Sequence, residues 1–173
     1  MLAVSDTSPV NYLVLLQQET LLPALYGQVV IPPAVQAELQ RSHTPEAVRQ
    51  WMAHPPAWLT LQPPQQPLTV RQFPRLDDGE LEAIPLAEEL HAAFLLIDEF
   101  DGRAEALRRA IPVTGTLGVL ETAAIRGLID LTRVLAQLRM TTFYASQRLY
   151  EEMLARDAAR KARLPADAGD PDA

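Results

Sequence analysis

Short apolar runs alternate with helical segments along most of this chain. The clearest runs are LAVSD (2–6), QVVI (28–31) and AFLLID (93–98), and weaker ones occur at AWLTL (57–61) and IPVTG (111–115). Strands that are joined through helices pair in parallel, with right-handed crossovers. The pattern therefore predicts an α/β fold, a three-layer α/β/α sandwich whose central parallel sheet is covered on both faces.

Length and composition favour one domain. The chain has 173 residues, of which 48% are apolar, and a chain of this length can bury a substantial core. We expect the domain over residues 1–160 and a disordered acidic tail over 161–173. No apolar run reaches the roughly 18 residues of a membrane span. Neither a membrane segment nor a signal peptide is expected, and the predicted location is cytoplasmic.

Helix signals follow most of the strands. Ser8 is predicted as the N-cap of the first helix, with Pro9 at its first position. Residues 55–74 contain six prolines and predict a loop with one weak strand. A helix is predicted over 77–90, and Pro85 inside it should kink or locally distort one turn.

Two aspartates stand at the ends of predicted strands. Asp6 follows LAVS, and Asp98 follows the strongest run, FLLI. Ligands of open parallel sheets bind at the carboxyl ends of the strands, where the strand order reverses. A turn or a helix cap is the structural alternative for each aspartate, and Glu99 and Asp101 beside Asp98 are either supporting groups or solvated.

Two glutamates near helix starts are further candidates. Glu38 lies beside an apolar stripe, although a lone helical glutamate is usually solvated. Glu80 has a structural alternative, because Asp77 and Glu80 fit a capping box; Glu82 points to another helix face. If Asp6, Glu38, Glu80 and Asp98 converge, their mutual repulsion implies a hard cation, Mg²⁺ or Mn²⁺.

Several enzyme classes are excluded by missing residues. The chain has no cysteine and one lysine, Lys161, so thiolate chemistry and a P-loop are absent. No serine lies in a G-x-S-x-G context, and no dinucleotide-binding glycine motif occurs. A phosphatase of the haloacid dehalogenase type would need D-x-D after the first strand, where this chain has Asp6 and Ser8. The net charge of −7 argues against a general polyanion-binding surface.

Several ordered segments together resemble the PIN-domain nucleases, in particular a prokaryotic branch similar to VapC-type toxins. The resemblance is carried by VSDTSPVNYL, LLPALYGQVVIPPAVQAEL, GELEAIPLAEEL, LLIDEFDGRAEA and PVTGTLGVLETAAIRGLI, and it ends near LYEEML at 149–154. It covers nearly the whole chain except the tail.

The resemblance implies a Mg²⁺- or Mn²⁺-dependent endoribonuclease that hydrolyses phosphodiester bonds of RNA. Asp6, Glu38, Glu80 and Asp98 match the acidic quartet that binds the metal and carries catalysis, with Thr7 or Ser8 as a supporting hydroxyl. The family also implies a homodimer and an antitoxin partner, with this chain as the toxin of the pair. The RNA substrate is single-stranded or structured, and no membrane partner is expected.

Substrate contacts would come from arginines, for which the candidates are Arg41, Arg71, Arg75 and Arg103. Phe100 and Asp101 replace a more basic stretch that is usual in the family. This departure, together with the acidic balance, leaves an alternative open: a catalytically weak or inactive PIN-like scaffold that acts by binding protein or RNA.

Overall fold

A computed structural model of the chain describes residues 1–163 and contains one five-stranded sheet. All neighbouring strands pair in parallel, in the order β3-β2-β1-β4-β5. The strands are β1 (Leu2–Ser5), β2 (Gln28–Ile31), β3 (Leu59–Leu61), β4 (Phe94–Leu96) and β5 (Val113–Thr114). The predicted α/β fold with a central parallel sheet is confirmed, including both of the weaker strands.

Nine helices occur in this part of the chain. They are α1 (Thr7–Leu15), α2 (Leu21–Tyr26), α3 (Pro33–Leu39), α4 (Glu46–Ala53), α5 (Asp78–Glu89), α6 (Phe100–Arg108), α7 (Thr116–Ile125), α8 (Leu131–Leu138) and α9 (Gln147–Arg163). The residues form two compact units, one over 1–119 and the other from 120 onward. The whole sheet belongs to the first unit.

Both faces of the sheet are buried. Successive side chains of a strand point to opposite faces, and consecutive residues of the central strands are all inaccessible to solvent. These are Ala3 and Val4 in β1, Val29, Val30 and Ile31 in β2, and Leu95 and Leu96 in β4. Continuous apolar runs of this kind are expected only where helices cover a sheet on both sides.

The first helix begins earlier than predicted. Asp6, with an extended backbone (φ −78°, ψ 175°), is the N-cap of α1, and Thr7 is its first residue. Ser8 therefore lies inside the first turn, where its hydroxyl donates to Oε1 of Glu99 at 2.9 Å. The prediction of Ser8 as N-cap was wrong, because Ser8 bonds a side chain from another element rather than its own helix.

The proline inside α5 connects the helix to the proline-rich loop. The helix continues through Pro85 from Asp78 to Glu89. A proline has no N–H for the carbonyl four residues earlier, which here belongs to Leu81. That carbonyl accepts the backbone N–H of Leu68 at 2.9 Å. The loop thus supplies the donor that the helix lacks at this carbonyl.

The second unit contains α8, α9 and most of α7. Its buried side chains include Leu131, Val134, Leu135, Leu138, Tyr150 and Met153. The last helix continues to Arg163, and most of the predicted acidic tail, 164–173, lies outside the described residues. The predicted domain bounds of 1–160 stay a prediction. Among residues 1–163 no helix is both long and apolar enough to cross a membrane.

Candidate metal centre

The strand order reverses between β1 and β4. The chain extends the sheet from β1 through β2 to β3, then returns to place β4 on the other side of β1. Asp6 follows β1 directly, and its backbone N–H donates to the carbonyl of Leu96 at 2.9 Å. Asp98 comes two residues after Leu96. Both aspartates therefore stand at the crevice where parallel sheets bind ligands.

Asp6 is the most deeply buried acid of this crevice. It is 1% exposed, and its side chain forms no capping hydrogen bond although it occupies the N-cap position. Oδ1 of Asp6 is buried and has no hydrogen-bond partner in residues 1–163. A buried carboxylate oxygen without a donor is costly, so capping alone does not account for this residue.

Glu38 reaches the crevice from α3 and is held by two donors. The hydroxyl of Thr7 donates to Oε2 of Glu38, and the backbone N–H of Gly79 donates to Oε1 at 3.0 Å. The start of α3 is capped from another helix, because Oε2 of Glu82 accepts the N–H of Ala34 at 2.9 Å. Glu38 is thus buried and oriented, rather than solvated.

Glu80 combines the two roles that its sequence context suggests. The capping box of α5 is present: the N–H of Glu80 donates to Oδ1 of Asp77 at 2.8 Å, and the N–H of Asp77 donates to Oε2 of Glu80 at 3.1 Å. The other oxygen, Oε1, is buried without a hydrogen-bond partner in the described part of the chain. The cap therefore uses only one of the two carboxylate oxygens.

Three carboxylates come close enough to share one ion. One oxygen each from Asp6, Glu38 and Asp77 lies within 4.8 Å of the others. Asp98 stands outside this group, and Thr116 holds both of its oxygens: the Thr116 N–H donates to Oδ1 at 2.7 Å and its hydroxyl to Oδ2 at 2.6 Å. Each oxygen retains a further lone pair for a ligand.

Glycines allow backbone to approach the acids. A Cβ on Gly79 would lie 2.7 Å from Oδ1 of Asp6 and 2.9 Å from Oε2 of Glu38, closer than such atoms approach in proteins. A Cβ on Gly102 would overlap Oε1 of Glu80, and one on Gly115 would overlap Oδ1 of Asp98. The α5 N-terminus, the first turn of α6 and the end of β5 can pack around the carboxylates only with glycine at these positions.

The four predicted acids all have raised pKa values. Burial is the largest cause for each of the four acids. The pKa of Asp6 lies well above its usual range, and the charge of Asp77 adds to the effect of burial there. Burial followed by the charge of Asp77 raises the pKa of Glu80 to about 7. Burial likewise raises the pKa values of Glu38 and Asp98.

The donor set fits a hard divalent cation. Carboxylate oxygens are the ligands that Mg²⁺ and Mn²⁺ prefer. Oδ1 of Asp6 and Oε1 of Glu80 are buried, and neither has a hydrogen-bond partner among residues 1–163. A cation held by Asp6, Glu38 and Asp77 would give the buried Asp6 carboxylate a positive partner. It would also offset the charges of Asp77 and Glu80, which add to the effect of burial on the pKa of Asp6.

Comparison with protein families agrees with this geometry. The family model DUF3368, described as a PIN domain, matches residues 2–158. The chain belongs to the PIN-domain family. PIN domains are generally nucleases and typically use a divalent metal.

Comparison with individual proteins adds little to the family match. Among solved structures, a PilT N-terminus domain protein from the hyperthermophilic archaeon Sulfolobus solfataricus P2 is similar, at 17% identity and a TM-score of 0.46, over 84% of this PIN domain and 100% of that chain. None of the curated proteins compared with the chain matches it significantly.

Arginines around the crevice of this PIN domain have protein partners. Arg103 donates to the carbonyl of Ile97 at 2.8 Å. Arg41 lies 3.3 Å from Asp78 and 3.8 Å from Glu38. Arg75 lies 3.7 Å from Asp101, and Arg71 is exposed in the preceding loop. Their role as substrate contacts stays a prediction.

Three contributors to the site were not identified from the sequence. Asp77 was interpreted only as a helix cap, yet one of its oxygens belongs to the three-carboxylate group. Gly79 and Thr116 position Glu38 and Asp98. The capping-box motif could have identified Asp77, because the residue that accepts the Glu80 N–H necessarily lies beside Glu80. For Thr116 the only indication in the sequence was its position directly after a predicted strand.

Proposed function

We propose that this PIN domain is a divalent-cation-dependent endoribonuclease that hydrolyses RNA phosphodiester bonds. Asp6, Glu38, Glu80 and Asp98 would hold Mg²⁺ or Mn²⁺ and carry catalysis, with Asp77 as an additional ligand. The observation that supports this most strongly is the buried oxygen of Asp6, which has no donor and stands in a group of three carboxylates at the reversal of strand order.

The chain's own residues would prepare the site before the ion binds. A bound Mg²⁺ or Mn²⁺ would lower the pKa of a water molecule and neutralise charge that develops on the phosphate oxygens. Thr7 and the N–H of Gly79 orient Glu38, and Thr116 orients Asp98. Such bonds to the ligands reduce the reorganisation that metal binding requires.

The first test is cleavage of labelled single-stranded RNA with Mn²⁺ or Mg²⁺, beside an EDTA control. Wild type is expected to cut the RNA internally, and EDTA to abolish cutting. Asp6→Asn and Asp98→Asn should lose cleavage while they keep their circular dichroism spectra. Asp157→Asn is a matched control that removes a buried carboxylate outside the site.

Two results would contradict the proposal. Equal cleavage by wild type and both site variants would identify a contaminating nuclease. No cleavage of single-stranded or structured RNA with either metal would remove the support for an enzyme.

Partners and cellular role extend the proposal. A homodimer, an antitoxin partner, a toxin role and a cytoplasmic location are implied by the resemblance to VapC-type toxins. Size-exclusion chromatography tests the dimer. Induced expression with and without the product of a neighbouring small reading frame tests toxicity and its relief.

A binding scaffold is the second candidate function. It is favoured by the net charge of −7 and by the protein partners already engaged by Arg41, Arg75 and Arg103. Strong RNA binding without metal-dependent cleavage would favour the scaffold over the enzyme.

A further inference from the structure

One aromatic side chain next to the acidic crevice is almost fully exposed. Phe100, the first residue of α6, is 84% accessible to solvent. Large apolar side chains are usually buried in the core, and the phenylalanine ring contributes nothing to this core. The exposed ring is therefore available for contact with a ligand of the adjacent candidate site.

Chain connectivity places Phe100 at the edge of the site. It follows Asp98 by two residues, so their Cα atoms lie within about 7 Å of each other. The residue between them, Glu99, is tied to the start of α1, since its Oε1 accepts the hydroxyl of Ser8 at 2.9 Å. The residue before the phenylalanine is thus tied to the helix that begins at Asp6.

Charge alone gives this edge little attraction for RNA. Phe100 stands between Glu99 and Asp101, and Arg75, which lies 3.7 Å from Asp101, offsets only that one acidic charge. Phosphate contacts supply most of the affinity in ordinary nucleic-acid binding. A contact that does not depend on charge would therefore add to the affinity for RNA at this edge of the site.

Stacking of a base on an aromatic ring is such a contact. Unpaired RNA bases stack on Phe, Tyr and Trp side chains, and the contact tolerates any base because each has a π-face. Bases inside a duplex are already stacked on each other and are not available in this way. The exposed ring therefore selects for an unpaired nucleotide.

A cleft of about 250 Å³ begins at Asp101, the residue that follows the exposed phenylalanine. Arg75 and Arg108 also line it, whereas Phe100 itself does not.

We propose that Phe100 is a specificity-determining residue that stacks on an unpaired base of single-stranded RNA adjacent to the cleaved bond. The inference rests on the proposed ribonuclease function and specifies its substrate class.

The test compares Phe100→Ala, Phe100→Leu and Phe100→Trp with Leu107→Ala. Leu107 is an exposed apolar residue on the same face of α6, 58% accessible and two turns from the site. Loss of a stacking ring typically weakens binding by about 5- to 100-fold per base. We expect KM for short single-stranded RNA to rise by this factor in the Ala and Leu variants, with kcat little changed. The Trp variant and Leu107→Ala should behave as wild type.

Binding provides a readout that is independent of cleavage. In an Asp6→Asn background, which leaves RNA intact, the added emission of Phe100→Trp should be quenched by single-stranded RNA. A duplex of the same sequence, and a strand with abasic sites, should quench it little. Anisotropy of fluorescein-labelled RNA measures total binding in parallel, and the unmodified background corrects for Trp51 and Trp58.

Each contrary outcome has a distinct meaning. Cleavage by wild type that Phe100→Leu leaves unchanged overturns the stacking inference and leaves the ribonuclease intact. A shift in oligomeric state in both Phe100→Ala and Leu107→Ala overturns it in favour of a protein interface along α6. Failure of wild type to bind or cleave any RNA overturns both proposals.

Discussion

Asp6 and Asp157 are buried to nearly the same extent, yet among residues 1–163 only Asp157 is paired with positively charged side chains. Asp6 is 1% and Asp157 6% exposed. Asp157 accepts from Arg160 at 2.5 Å and lies 2.8 Å from Lys161. No donor among the described residues reaches Oδ1 of Asp6, and the charges of Asp77 and Glu80 add to the effect of burial in raising the pKa of Asp6. Burial alone therefore does not distinguish the two aspartates; the presence or absence of a positive partner does.

The two carboxylates also differ in where their neighbours come from. The cations at Asp157 lie three and four residues later on the same helix, α9, where side chains meet automatically. The neighbours of Asp6 come from distant helices, Glu38 from α3 and Asp77 from the start of α5. A pair within one helix forms for local reasons, whereas the acidic group forms only when the whole sheet is assembled.

The largest expected difference between them is in catalysis. Asp6→Asn should lower metal-dependent RNA cleavage by about a hundredfold or more, because a bound cation supplies several kcal/mol of charge stabilisation. Asp157→Asn should leave the rate close to that of wild type, because Asp157 is not among the carboxylates proposed to hold the ion. Comparable losses in both variants would break the comparison, because they would point to general unfolding rather than to a lost ligand.

Metal binding should stabilise the protein through Asp6 and not through Asp157. A cation at about 100 times its Kd adds about 2.7 kcal/mol, which raises Tm by roughly 5–10 °C for a chain of this length. Wild type and Asp157→Asn should show the rise in differential scanning fluorimetry with Mn²⁺ or Mg²⁺. An equal rise in Asp6→Asn would place the ion elsewhere.

Without metal, Asp157→Asn should lower the free energy of unfolding more than Asp6→Asn does. Asp157→Asn leaves two cations without their buried carboxylate and should cost about 1–2 kcal/mol, a discounted value because Lys161 is 47% exposed. Asp6→Asn removes mutual repulsion and should be as stable as wild type in EDTA, or more stable. Urea unfolding of both variants measures the two values, and a larger loss in Asp6→Asn would contradict the role of repulsion.

The smallest expected effect is on the pH dependence of stability. The contributions of Glu80 and Asp157 to the free energy of unfolding should change with pH in opposite directions. The folded pKa of Glu80 is about 7 against an ordinary 4.5, so the folded state binds more protons than the unfolded one between these values. Stability in EDTA should therefore fall as pH rises through this window.

Asp157 behaves in the reverse sense. Burial raises its pKa, but hydrogen bonds from Lys161 and Arg160 outweigh burial and lower the pKa overall. Its contribution is lost only as pH falls below about 4. Between about pH 5 and 8, Tm in EDTA should decline in wild type and Asp157→Asn, and added Mn²⁺ should flatten the slope. A Tm that rises with pH in EDTA would refute the raised pKa values.

Helix starts show where local sequence signals are sufficient and where they are not. The capping box at Asp77 and Glu80 was predicted and is present, because it involves residues three apart on one helix. Ser8 was misassigned, because its hydroxyl bonds Glu99, 91 residues away. The kink predicted at Pro85 stays a prediction, and the donor to the carbonyl of Leu81 comes from Leu68, in a loop that carries no periodic pattern.

The sequence by itself determined the parallel sheet and the position of Asp6 and Asp98 at strand ends, because alternating apolar strands and helices admit few topologies. The burial of Glu38, the shared role of Asp77 and the close approach of Gly79 were decided only by the tertiary structure. These features depend on which helices meet over the reversal between β1 and β4. Carboxylates from separate elements gain their chemistry from that meeting, since burial and mutual repulsion act through space rather than along the chain.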